Sequence, residues 1–247
     1  MQTNKYIFFD CMGTLFSNPI DWERENLKGA ELLKHFFLEK NVLVEMNDDL
    51  TEKIIAEKRI LRKKAKEEMV EYPLDALLRK HLKERDIPYT EDLIDQAVKV
   101  YMYPEVKISR PYEGTKELLD KLKNAGYFIA LISNTLARSF VDTVINSHGM
   151  TEYFDYVLTS YDVGYRKPHR NFILRFCEDT GADVRNSIWI GDRLKDDIHG
   201  ANTIGMKNIF FNRDFHPDNQ KFRGIIKPYR EAKTTEEIYP LIQEIFE

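Results

Sequence analysis

Cysteine is scarce. Two residues, Cys11 and Cys177, in a chain of 247 cannot build a disulfide framework, and such sparing use suits a reducing cytoplasm. No apolar run approaches the roughly 18 residues that a membrane-spanning helix needs. The opening MQTNKYIFFD has no charged-then-apolar leader of the secretory kind. Excess positive charge is missing too: 37 basic residues against 41 acidic ones leave −4, which argues against a broad nucleic-acid footprint. Internal repeats and low-complexity stretches are absent. The expectation is a soluble cytoplasmic protein with neither nucleic acid nor membrane as a partner.

Glycine is nearly missing from one long region. Between residues 17 and 109 the chain holds only Gly29, is highly charged, and places apolar residues at helical spacing. Leu27, Leu32, Leu33, Phe36 and Phe37 make one run. Ile54, Ile55, Ile60 and Leu61 make a second, and Leu74, Leu77, Leu78 and Leu82 a third. Pro73, Pro88 and Pro104 punctuate the region, and about four helices are expected. SNP (17–19) and SRPYEG (109–114) flank it as hinges. The basic stretch EKRILRKKAKEE (57–68) reads as a solvated helix face balanced by neighbouring glutamates.

What is present elsewhere is a set of short apolar runs rich in aromatic and β-branched residues: YIFF (6–9), YFIALI (127–132), YVLT (156–159), SIWI (187–190) and NIFF (208–211). These read as buried parallel strands. Helical patterns at 115–126 and 171–182, each closed by a glycine region, alternate with the later ones. Strand and helix in this rhythm give an α/β fold, a Rossmann-like doubly wound parallel sheet. Residues 1–16 and 110–247 would form the α/β core. Residues 17–109 would form an all-helical cap over the carboxyl edge of the sheet, where such folds bind ligands.

Chemistry-bearing residues follow the strands one after another. Asp10 follows YIFF, Ser133 and Asn134 follow YFIALI, and Lys167 lies a short loop beyond YVLT. Asp192, Asp196 and Asp197 follow SIWI. In a parallel sheet these ends share one edge. A carboxylate can attack phosphorus, and a hard divalent cation takes carboxylate oxygens together with substrate phosphate. A lysine and a serine hydroxyl can hold the remaining phosphoryl oxygens. Gly13 offers a tight bend whose backbone N–H groups can face an anion. Asp196 reads as a first-turn helix acid, Cys11 as a small packed thiol, and His169 and His199 are not clustered as metal ligands.

The stretches DCMGTL, LISNT, VGYRKP and IGDRLKDDIHGA, in this order, resemble the four motifs of the haloacid dehalogenase superfamily. The helical insertion after the first motif resembles the cap of one of its subfamilies. The resemblance implies a Mg²⁺-dependent phosphatase acting on a small phosphorylated metabolite. Asp10 would be the nucleophile and a metal ligand, with Asp192, Asp197 and the backbone carbonyl of Met12 as further ligands. Lys167 would steady Asp10 and bind the phosphoryl group with Ser133, and Asn134, Gly13 and Thr14 would complete the substrate contacts. One departure stands out: phosphatases of the superfamily carry a second aspartate, the general acid and base, where this chain has Met12. Two other readings follow from that. One is a catalytically weakened or non-catalytic phosphate- and metal-binding regulator; the other is a metal-free 2-haloacid dehalogenase, disfavoured by the acid-rich GDRLKDD.

Overall fold

The computed structural model describes residues 5–17, 22–43, 45–46, 48–214 and 216–247. Six parallel strands lie in the order β3-β2-β1-β4-β5-β6 among these residues. They are β1 (Tyr6–Asp10), β2 (Phe128–Ser133), β3 (Tyr156–Thr159), β4 (Ser187–Gly191), β5 (Lys207–Phe211) and β6 (Arg230–Ala232). The first five match the apolar runs. The sixth is three residues reading Arg-Glu-Ala, too short and too polar to carry a strand signal, and it forms by pairing with β5.

Alternation along the strands explains why both faces of the sheet are covered. Ile7, Phe9, Ile129, Leu131, Ile188 and Ile190 join one apolar cluster. Their neighbours Tyr6, Phe8, Ala130, Ile132 and Trp189 join another on the opposite face. The first cluster also takes in Leu118, Leu119 and Leu122 of α5 (Thr115–Asn124), Phe140 and Val144 of α6 (Arg138–Ser147), and Ile238 and Ile242 of α11 (Thr235–Phe246). The second receives Phe172 and Phe176 of α8 (Arg170–Thr180). Each fully buried side chain of this size contributes roughly 1.5–3 kcal/mol, so the two layers supply most of what holds the sheet. The short helices α7 (Ser160–Val163), α9 (His199–Thr203) and α10 (Pro217–Gln220) occupy the connections.

Four helices follow β1: α1 (Trp22–Glu39), α2 (Leu50–Glu68), α3 (Leu74–Glu84) and α4 (Glu91–Ile108). They pack on one another, and their apolar residues run without a break into the first cluster. Of the expected hinges, residues 18 and 19 of SNP lie outside the described residues. The Ser17 amide donates to the Arg110 carbonyl at 2.8 Å and the Arg110 amide to the Ser17 hydroxyl at 3.2 Å, so the chain enters and leaves the helical region side by side.

Two expectations need correction here. Leu27, Leu32 and Ile60 stand on the exposed sides of their helices rather than in the apolar seam. Pro104 does not end a helix either: α4 runs through it. A proline forfeits one helical hydrogen bond, and this one is buried in a helix held along α1.

Gly29 marks where α1 and α4 meet. A Cβ at this position would stand 2.4 Å from the carbonyl oxygen of Tyr101, so a backbone, not a movable side chain, blocks it. Alanine would gain about 1 kcal/mol of helix propensity, but overpacking that displaces a helix costs about 1–3 kcal/mol. Gly29→Ala is therefore expected to lower the melting temperature, as thermal unfolding followed by circular dichroism will show. A rise would mean that the crossing is looser than the geometry says.

Candidate active site

Sheet register brings the site together. Phe9 of β1 pairs with Ile190 of β4, and Asp10 pairs with Ile132 of β2. Asp10 therefore ends its strand beside Ser133 on one side and the chain leading to Asp192 on the other. Chain order reverses around β1, and such a switch point opens a crevice at the carboxyl ends of the strands. A cavity of about 370 Å³ lies there, lined by Asp10, Met12, Ser133, Asn134 and Lys167 together with residues of α2 and α4.

Asp10, Asp192 and Asp197 are all buried, and one carboxylate oxygen from each lies within 4.8 Å of the others. A single cation can bridge carboxylates at this separation. Lys167 reaches into the group, pairing with Asp10 and standing 2.8 Å from Asp197. Burial alone would lower its ammonium, but Asp10 and Asp197 outweigh that and raise it above the usual lysine range. Burial also pushes the Asp192 carboxyl well above its ordinary range, with the charges of Asp10 and Asp197 adding to the effect. The carboxyl of Asp197 is raised to about 7, chiefly by burial. Three buried carboxylates facing one ammonium are short of positive charge, a costly arrangement unless a further cation is bound. Asp192 Oδ1 is buried without a hydrogen-bond partner among the described residues. Hard oxygen donors, a charge deficit and an unsatisfied oxygen together fit Mg²⁺.

The loops around the group are held by side chains. Asn134 spends its amide on the backbone of Lys167, donating to the carbonyl at 3.1 Å and accepting from the N–H at 2.8 Å. Its place in the cavity wall comes with a positioning task the sequence did not show. Asn219 of α10 holds the other loop: it accepts from the Leu194 amide at 2.8 Å and donates to the Asp192 carbonyl at 2.7 Å. It stands 27 positions from Asp192, and no motif marks it. Thr14 is buried with its hydroxyl unpartnered among the described residues. Gly13 makes the expected bend, with φ at 92°. Its amide, however, donates to the Phe16 carbonyl at 2.6 Å. That N–H is satisfied within the loop itself.

Gly191 precedes Asp192 for a steric reason. A Cβ there would lie 2.3 Å from Cγ of Asp197 and 2.4 Å from its Cβ, so the aspartate could not keep its place by turning its tip. Asp197 also accepts from the Arg193 amide at 3.0 Å. Gly191→Ala is expected to push Asp197 out of the group and weaken Mg²⁺ binding by about 10–100-fold, the usual cost of disturbing what orients a ligand. Titration calorimetry of the folded variant will measure it; unchanged affinity would separate Asp197 from the metal.

Other expectations meet the structure as follows. Cys11 is fully buried, and burial raises its thiol far above the usual range, with the charge of Asp10 adding to it. His169 caps α8 by accepting from the Asn171 amide. The basic stretch 57–68 departs from a wholly solvated face: Lys58 is buried, and Lys58, Arg62 and Lys66 line the cavity. Only the outer side is balanced as expected, with Arg59 on Glu23 and Lys64 near Glu68. A strict four-residue spacing was the signal that separates the two sides.

Among the described residues no helix is long and apolar enough to cross a membrane. A family model described as haloacid dehalogenase-like hydrolase matches residues 41–211. Glyceraldehyde 3-phosphate phosphatase of Pyrococcus abyssi is 26% identical over 130 residues, 53% of this chain and 54% of that protein. Phosphoglycolate phosphatase of Agrobacterium fabrum is 29% identical over 194 residues, 78% of this chain and 75% of the relative. The chain spans about half the length of the first of these relatives. Among solved structures, a HAD phosphatase from Thermococcus onnurineus aligns with a TM-score of 0.61 at 22% identity, covering 96% of this chain and 97% of the other. A 2-haloacid dehalogenase from Pseudomonas syringae pv. Tomato DC3000 aligns at 0.67 and 20% identity over 99% and 100%. Both structural likenesses speak for the fold, and the family match extends over most of the sequence. The chain belongs to the haloacid dehalogenase-like hydrolases.

Proposed function

We propose that this protein is a Mg²⁺-dependent phosphohydrolase of small phosphorylated metabolites, working through an aspartyl-phosphate at Asp10. The observation that carries the reading is the meeting of Asp10, Asp192, Asp197 and Lys167 beside one cavity, which Asp10 and Lys167 line. The carboxylate of Asp10 attacks phosphorus, the bond from phosphorus to the substrate oxygen breaks, and that oxygen departs with the bonding pair. Water then attacks the phosphorus of the acyl phosphate and frees Asp10. Lys167 and Ser133 hold the non-bridging oxygens, where charge grows in the transition state. Asp10, Asp192, Asp197 and the Met12 carbonyl would hold Mg²⁺, which when bound neutralises phosphoryl charge. Residues 17–109 act as the cap that shields this chemistry from water. Free Cys11 and Cys177 suit a cytoplasmic setting.

Met12 cannot donate a proton to the leaving oxygen, so leaving groups that depart as stabilised anions are favoured: acyl and aryl phosphates before alkyl ones. That same side chain supports a second reading, a phosphate- and metal-binding protein with little turnover. The purified chain is expected to release phosphate from acetyl phosphate and p-nitrophenyl phosphate with Mg²⁺ and to stop when the metal is chelated. Turnover that survives the chelator defeats the metal assignment, and halide release from 2-chloropropionate under those conditions restores the dehalogenase reading.

A further inference from the structure

Lys58, Arg62 and Lys66 follow one another at four-residue steps on α2 and all line the cavity. Like charges at this spacing weaken a helix, so the sequence carries this row at a cost to its own stability. Glu105, a buried carboxyl in the same wall, interacts electrostatically with Lys58 and with Arg62. Lys58 is buried and donates to Asn26 Oδ1 at 2.5 Å and to the Tyr101 hydroxyl at 2.6 Å. Lys66 stands 3.7 Å from Asp218, a carboxylate that Arg193, also in the cavity wall, already takes at 2.8 Å. Asp196 contributes a negative charge nearby. Arg62 has no carboxylate within 4.0 Å among the described residues; its guanidinium lies 5.3 Å over the ring of Trp22. Elsewhere in the cavity wall Arg166 is taken by Glu71, and Lys167 by Asp10 and Asp197. Among the described residues Arg62 is therefore a cation of the helical wall left without a carboxylate in contact.

Resting on the phosphohydrolase reading, we propose that Arg62, flanked by Lys66 and Arg193, binds a second anionic group at the far end of the substrate. The substrate class is then a small phosphate ester or acyl phosphate with a carboxylate or second phosphate on its other end. A guanidinium offers two parallel N–H donors that match either oxyanion. Its place over the Trp22 ring, within cation–π range, restrains the side chain before the ligand arrives. A cavity of about 370 Å³ admits a ligand of metabolite size.

The test uses non-hydrolysable probes and the full chain in Mg²⁺, with titration calorimetry as readout. Methylphosphonate is compared with phosphonoacetate, 3-phosphonopropionate, 4-phosphonobutyrate and propane-1,3-bisphosphonate. At least one tailed probe is expected to bind ten-fold or more tightly than methylphosphonate, and the best one identifies both the tail anion and its spacing. In Arg62→Ala this advantage should fall below three-fold, with Arg62→Lys between the two and Lys64→Ala keeping it whole. Equal affinity for methylphosphonate and every tailed probe, or an advantage that survives Arg62→Ala, overturns the subsite. Failure of methylphosphonate to bind strikes the phosphoryl site instead, so the two readings fail separately.

Discussion

Replacing Asp10 with asparagine is expected to cut phosphate release by at least about 10³-fold, since loss of a covalent nucleophile removes the reaction path and not merely a contact. The substitution is nearly isosteric, so the variant should still fold. It should in fact be no less stable than the natural chain. Lys167 keeps Asp197 at 2.8 Å, so it is not stranded. Asp192 loses a negative neighbour that helps hold its carboxyl above the ordinary range. Three buried carboxylates against one ammonium become two, which relieves repulsion in a place that water cannot screen. Lost turnover with an unchanged or raised melting temperature is the pattern of a site that trades stability for activity. Phosphate release measured with Mg²⁺, and thermal unfolding of the same preparation without metal, check both halves. Activity within ten-fold of the natural chain would remove Asp10 from the nucleophile's role.

Much of the architecture was legible because the parallel sheet writes itself plainly. Strands buried on both faces need continuous apolar runs, and the runs beginning at Tyr6 and Ser187 deliver Asp10 and Asp192 to adjacent strand ends. The arginine and lysine row on α2 was hidden by composition. Read as a string, residues 57–68 mix both signs and look balanced. Wound into a helix, Arg59 and Lys64 meet glutamates away from the cavity, while Lys58, Arg62 and Lys66 line it. Asn219 and Glu71 were invisible for another reason: each acts on a partner far away in the chain. Asn219 clamps the Asp192 loop, and Glu71 holds Arg166 and the Ser160 hydroxyl. Neither carries a local pattern, because the loop that needs it is supplied by topology. Gly191 lay inside a recognised stretch, yet its reason, room for Asp197, exists only in three dimensions.

Met12→Asp is expected to raise turnover of alkyl phosphates by about 10²–10⁴-fold, the span a placed general acid supplies. Met12 is partly exposed to the cavity two residues beyond the nucleophile, so a carboxyl there faces the same space as the departing oxygen. Burial near Asp10 and Asp192 would raise that carboxyl, keeping part of it protonated near neutral pH, the state a proton donor needs. Its contribution depends on how badly the leaving oxygen needs the proton. An alkoxide needs it most; an acyl or aryl oxygen leaves without much help. The gain should therefore be large for an alkyl ester and small for acetyl phosphate, and the ratio of the two gains is the informative quantity. The Met12 carbonyl belongs to the backbone, so metal binding should persist, and calorimetry with Mg²⁺ will show whether it does. A gain confined to alkyl esters means the natural side chain narrows the enzyme to substrates with good leaving groups. An equal gain on both classes points to better phosphate binding, and no gain at intact metal affinity means that position 12 does not face the leaving oxygen.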